Sequence, residues 1–135
     1  MIQPEKNAVH PNLYSPLVLA YMGDVVYEML VREKMVLRAN MPVNKLHKAT
    51  VSWVRASAQS QGIALIEPML TEEELAVYKR GRNASGNHVP KNADAQEYRR
   101  ATGFEALFGY LYLNGQVDRI RELFTVIWEN MPQQE

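Results

Sequence analysis

"LVLAYMGDVVYEML", residues 17–30, reads as an apolar helix with one acid, Asp24, in its middle. A second stretch, "ATGFEALFGYLYL" at 101–113, repeats the pattern around Glu105. Around Asp24, positions 20, 21, 25, 27 and 31 are Ala, Tyr, Val, Tyr and Val; around Glu105, positions 101, 104, 106, 108 and 109 are Ala, Phe, Ala, Phe and Gly. Helical spacing therefore leaves neither acid an obviously polar face. An isolated ionised carboxylate in such a setting is costly unless a cation or a donor meets it. The plainer alternative is that each acid lies on the solvent edge of its helix.

Glycines 23, 103 and 109 sit within these two segments. Each costs a helix about 1 kcal/mol relative to alanine, which close approach of a second backbone or room beside the acid would offset. Two helices packed there would bring Asp24 and Glu105 together. Like charges at that range call for a cation, and a hard, oxygen-lined site suits magnesium. Carboxylate-held magnesium beside basic stripes is equipment for cleaving phosphodiesters.

The rest of the chain also reads as helix, giving an all-α bundle of about five helices in one domain, 1–135, with 1–14 an extended N-terminal segment. Ser15-Pro16 is a helix start. Met41-Pro42 restarts the chain, and residues 43–66 keep helical spacing with Gly62 as a candidate break. Thr71 with Glu74 forms a capping-box pattern, and Lys79-Arg80-Gly81 reads as the end of that helix. The irregular stretch "RNASGNHVPKNA" follows, then helices from about Asp94 to Leu113 and from Val117 onward.

With no cysteine, disulfides, thiolate nucleophiles and thiolate metal sites are excluded, and a reducing cytoplasm is the expected setting. No secretory signal is visible in "MIQPEKNAVHPNLYS". The apolar run from Leu13 to Val31 approaches spanning length but contains Asp24 and Glu28. A central acid costs about 2.5–3.5 kcal/mol on insertion scales, so no membrane segment is expected.

The formal net charge is +0, yet the charges are segregated. Residues 32–55 carry six basic side chains against Glu33 alone, and residues 79–100 carry six against Asp94 and Glu97. Such clustering makes a basic face on a neutral protein. Lys45, Lys48, Ser52 and Arg55 fall on one outer stripe at helical spacing. The loop offers Arg80, Arg82, Asn83, His88, Lys91 and Asn92. Basic groups with amide side chains suit the phosphates and 2′-hydroxyls of duplex RNA, which is read across its shallow minor groove.

These residues resemble a known family. "AYMGDVVYEML" is similar to the signature helix of the ribonuclease III family, E-x-L-E-F-L-G-D-A-V-L-E, and "GFEALFGYLYLNG" to its second motif, D-x-F-E-A-L-I-G-A-I-Y-L-D. The match holds at Gly23-Asp24, at Phe104 to Leu107, at Gly109 and at Tyr112-Leu113, and the resemblance spans residues 15 to about 130. The acids expected seven and four residues before Asp24 are Leu17 and Ala20, and the aspartate expected three before Glu105 is Thr102. No double-stranded-RNA-binding domain follows within the sequence, which is expected to be a bare catalytic domain. Those features resemble the family's Mini-ribonuclease III branch.

The resemblance implies a ribonuclease III-like endonuclease domain that cleaves double-stranded RNA with Mg2+, leaving 5′-phosphate products. It also implies a homodimer and a role in maturing large-subunit (23S) ribosomal RNA precursor, with a ribosomal protein or pre-ribosomal particle as accessory partner. Asp24 and Glu105 match the catalytic, metal-binding acids, and Glu28 is a secondary metal candidate one turn on. The missing carboxylates weaken the case for a second tightly held metal. The alternative classes are a non-catalytic double-stranded-RNA-binding helical dimer and a helical protein-interaction domain.

Overall fold

The computed structural model describes residues 2–6, 9–84 and 89–132, and all regular elements among them are helical. Six α-helices run α1 Pro16–Arg38, α2 Val43–Val54, α3 Ala56–Ile66, α4 Glu72–Ala84, α5 Ala95–Leu113 and α6 Val117–Asn130. Two 3-10 turns, Pro11–Leu13 and Glu67–Met69, complete the set.

α1 begins as its sequence predicts. The Ser15 hydroxyl accepts from Leu17 N–H at 3.3 Å, and Pro16 takes the first helical position. At 23 residues the helix is about 35 Å long and outruns the core it covers. One face, including Leu19, Val26, Tyr27 and Leu30, is buried; Leu17, Tyr21, Val25, Val36 and Leu37 are exposed, Tyr21 by 81%. No helix among the described residues is long and apolar enough to cross a membrane.

The segment 43–66 breaks at Arg55 rather than at Gly62. Arg55 is extended (φ −65°, ψ 159°), ending α2 and opening α3. Gly62 lies inside α3, where a Cβ would come within 3.3 Å of Phe104 Cε1, so it is a packing residue and not a breaker. Ser52, expected on the outer basic stripe, is buried, its hydroxyl donating to the Ala49 carbonyl at 2.7 Å.

The Thr71–Glu74 capping box forms in both directions, at 2.9 and 3.1 Å. α4 does not end at Gly81, however. It continues to Ala84 because Gly81 faces α5, where a Cβ would stand 2.7 Å from that of Ala106 and 2.9 Å from Gly103 Cα. The basic residues before a glycine mimic a helix end; the neighbouring helix gives this glycine a different purpose.

α5 is the centre of the bundle and packs against α1, α3, α4 and α6. Asp94 caps its start by accepting from Glu97 N–H at 2.9 Å, and Gly115, at φ 74°, lets the chain leave its end. Tyr27 meets Phe104, Phe108 and Phe124 edge-on in the core. Trp53 of α2 stacks on Trp128 of α6 with ring centroids 4.4 Å apart, under Lys34 and Arg38.

The N-terminal segment is not extended to its end. Its 3-10 turn buries Pro11 and is fastened by Arg80, which donates to Asn12 Oδ1 at 2.6 Å and to the Asn12 carbonyl at 3.3 Å.

Candidate active site

The site is made where α1 crosses α5. Gly23 and Gly109 allow the crossing: a Cβ on Gly23 would collide with the Glu105 carbonyl, and one on Gly109 with the Leu19 carbonyl. Backbone therefore lies against backbone, and the two acids from separate helices come side by side.

Their surroundings differ. Glu105 is half-buried, whereas Asp24 is exposed in the protomer, contrary to the expectation of a buried acid. The reason is that Tyr21 and Val25, the apolar neighbours on which that expectation rested, themselves face outward. Burial first, and then the adjacent Asp24 charge, push the Glu105 carboxyl up to about 8, while a hydrogen bond from Gln59 works the other way. A carboxyl raised that far favours its protonated form near neutral pH, and a positive charge beside it would oppose the shift.

Glu28 lies one turn beyond Asp24 and is engaged by Arg32, with a shortest separation of 2.7 Å. At the positions where acids are missing, Leu17 is exposed, Ala20 is buried, and the Thr102 hydroxyl donates to the Tyr98 carbonyl at 3.0 Å. No group of three His, Cys, Asp or Glu side chains converges among the described residues. The carboxyls brought together at the crossing are those of Asp24 and Glu105.

Gln59 is the residue that sequence reasoning missed. It is 1% exposed and donates through Nε2 to Glu105 Oε2 at 3.3 Å and to the Val54 carbonyl at 3.0 Å. The signal was available: Gln59 shares the buried face of α3 with Gly62, Ile63 and Ile66, where a polar side chain needs a partner.

The basic candidates do not form one surface patch of equivalent groups. Lys45 and Lys48 project from α2, with Arg55 at the α2–α3 break, all exposed. Arg80 is committed to Asn12. Arg82 lies over the Tyr78 ring, 5.6 Å from its centroid, and donates to Asn83 Oδ1 at 3.3 Å. Lys91 and Asn92 are exposed in the turn before α5, and His88 lies outside the described residues.

The same stretch that carries both acids, residues 17–116, matches the model of the ribonuclease III domain. The chain belongs to the ribonuclease III family. Its similarity to the Mini-ribonuclease III branch is extensive. A Mini-ribonuclease 3 from Thermoanaerobacter sp. (strain X514) is 50% identical over 109 residues, covering 81% of this chain and 77% of the relative. That of Brevibacillus brevis is 48% identical over 122 residues, covering 90% and 91%. A crystal structure of a protein from Fusobacterium nucleatum superposes with a TM-score of 0.80 at 28% identity, covering 89% of this chain and 96% of that one. The protein is accordingly an endoribonuclease of the ribonuclease III type.

Proposed function

We propose that this endoribonuclease cuts double-stranded RNA in a magnesium-dependent reaction and, in the cytoplasm, matures the large-subunit (23S) ribosomal RNA precursor. The observation that carries this reading is the contact of Asp24 and Glu105 at the α1–α5 crossing. Two carboxyls with no salt-bridge partner among the described residues suit a hard divalent cation, and their oxygens would hold it. When bound, Mg2+ would activate water and offset charge on the phosphate under attack. Glu105 would give up its proton on loading, and Gln59 would keep its carboxylate in place. Asp24 and Glu105, with Glu28 a further candidate one turn on, would share the ligand set with RNA phosphate oxygens and water.

The exposed apolar face of α1 flanks Asp24, and covering it with a second copy supports a homodimer with its two sites along one surface. Lys45, Lys48, Arg55, Arg82, Asn83, Lys91 and Asn92 supply groups for phosphates and groove edges. A ribosomal protein or pre-ribosomal particle would present the substrate.

Incubating an end-labelled RNA duplex and a 23S precursor transcript with the protein, with and without Mg2+, tests the proposal. Cutting of both only with the metal is the expected result. Duplex binding without cleavage at any Mg2+ concentration would leave the non-catalytic RNA-binding dimer in its place. Cleavage of the duplex but not of the precursor would remove the ribosomal role alone.

A further inference from the structure

Gln59 occupies a position that packing alone does not explain. Its side chain is buried, yet Oε1 has no hydrogen-bond partner among the described residues. A buried, half-satisfied amide is a poorer stabiliser than a methionine or leucine of the same size. What the amide provides is a fork. One donor meets the Val54 carbonyl, left open where α2 ends, and the other meets Glu105 Oε2. The Val54 carbonyl also fixes which way the amide faces, because exchanging its N and O would set oxygen against oxygen there.

We propose that Gln59 is a positioning residue for RNA cleavage: anchored on the Val54 carbonyl, its amide aims the Glu105 carboxylate at the place it shares with Asp24. The break at Arg55 thereby becomes part of the site's construction. An unbroken α2–α3 helix would use the Val54 carbonyl in its own ladder and leave the amide without its anchor. This inference rests on the metal-site reading above.

The test is direct metal uptake. Mn2+ is titrated into the full chain, and the free Mn2+ signal is followed by electron paramagnetic resonance for the parent, Asp24→Asn, Gln59→Met and Ile63→Ala. Ile63→Ala thins the same helix at a buried position that makes no hydrogen bond to the site. Gln59→Met keeps the volume and removes the donor; it is expected to weaken Mn2+ binding about ten-fold, the scale of lost outer-shell partners of metal ligands. Single-turnover cleavage at saturating duplex should fall by a similar factor, with half-saturation by RNA unchanged. Ile63→Ala should lower Tm and leave Mn2+ binding as in the parent.

Unchanged Mn2+ affinity in Gln59→Met, or equal weakening in Ile63→Ala, overturns the positioning role. Should Gln59→Met not fold, Gln59→Asn, too short to span both acceptors, gives the same reading. If Asp24→Asn binds Mn2+ like the parent, or the parent takes up none, the metal-site reading itself falls and this inference with it. Loss in Asp24→Asn but not in Gln59→Met overturns only the role of Gln59.

Discussion

α5 makes two tight glycine-mediated crossings, with α1 and with α4; Glu105 lies at the first, and Glu74 stands at the start of α4, about two turns before Gly81. At the α4 side, Glu74 is buried at 4% exposure but fully answered. Arg119 bonds both of its oxygens at 2.9 Å, and Thr71 closes the capping box. Burial works to raise its carboxyl, yet the Arg119 guanidinium and the Thr71 hydrogen bonds outweigh it and hold it below the usual range. At the α1 side, Glu105 meets Asp24 instead of a cation, and burial first, then the Asp24 charge, pushes it up to about 8. Two acids in one small bundle are thus driven in opposite directions. Burial pushes both carboxyls up; the charge beside each decides whether that push is opposed, as by Arg119, or reinforced, as by Asp24.

Removing the reactive pair should have the largest effect. Asp24→Asn and Glu105→Gln are each expected to lower cleavage by at least about 10³-fold while duplex binding persists. Gel-based cleavage and a binding titration on the same duplex check it; near-parental cutting by either variant would show that the pair is not the reaction centre.

Breaking the answered acid should cost stability instead. Arg119→Met leaves Glu74 buried without its cation and removes the bond to the Met69 carbonyl, for a loss of about 3 kcal/mol. Denaturant unfolding measures it, and a change near zero would mean that the α4–α6 clamp contributes little.

A change touching neither acid provides the control. Arg82→Glu with Lys91→Glu should weaken duplex binding about ten-fold and lower the salt slope by about 2, with single-turnover cleavage at saturating RNA retained. Equal affinity and slope would move the RNA surface to Lys45, Lys48 and Arg55.

The smallest effect is a difference in sign with pH. Glu105 binds a proton more tightly folded than unfolded, so its contribution is present at acid pH and is lost as pH rises from about 4.5 towards 8. Glu74, held low, contributes above the ordinary carboxylate range and loses that contribution as pH falls through its depressed value. Without metal at pH 8, Glu105→Gln should therefore stabilise the protein, on the order of 1–2 kcal/mol. Thermal melts of parent and variant at pH 5 and pH 8 check this; a gain that does not grow with pH would argue against the raised Glu105.

What the sequence made legible was local chemistry. Ser15-Pro16 and Thr71 with Glu74 mark helix starts through groups that act within a few residues, and they stand where expected. Gly23 and Gly109 were legible too, because a glycine inside an apolar helix asks for a close neighbour. The failures turn on packing that the local spacing does not show. Nothing in "SWVRASA" breaks a helix, and the bend at Arg55 is supported by Gln59 reaching back to Val54. Gly81 has the neighbours of a helix terminator, and only Gly103 and Ala106 of α5 show otherwise. Asp24 looked enclosed because Tyr21 and Val25 are apolar, although their side of α1 is open in the protomer.

The chain contains two tryptophans, and they are stacked on each other. Their emission and near-ultraviolet dichroism are consequently one signal rather than two, reporting whether α6 lies on α2. A tryptophan-fluorescence melt of this protein follows the docking of its last helix under Lys34 and Arg38 of α1, and neither tryptophan belongs to the α1–α5 crossing that carries the acids. Fluorescence and catalysis would then give separate transition curves whenever α6 and the α1–α5 crossing do not melt together.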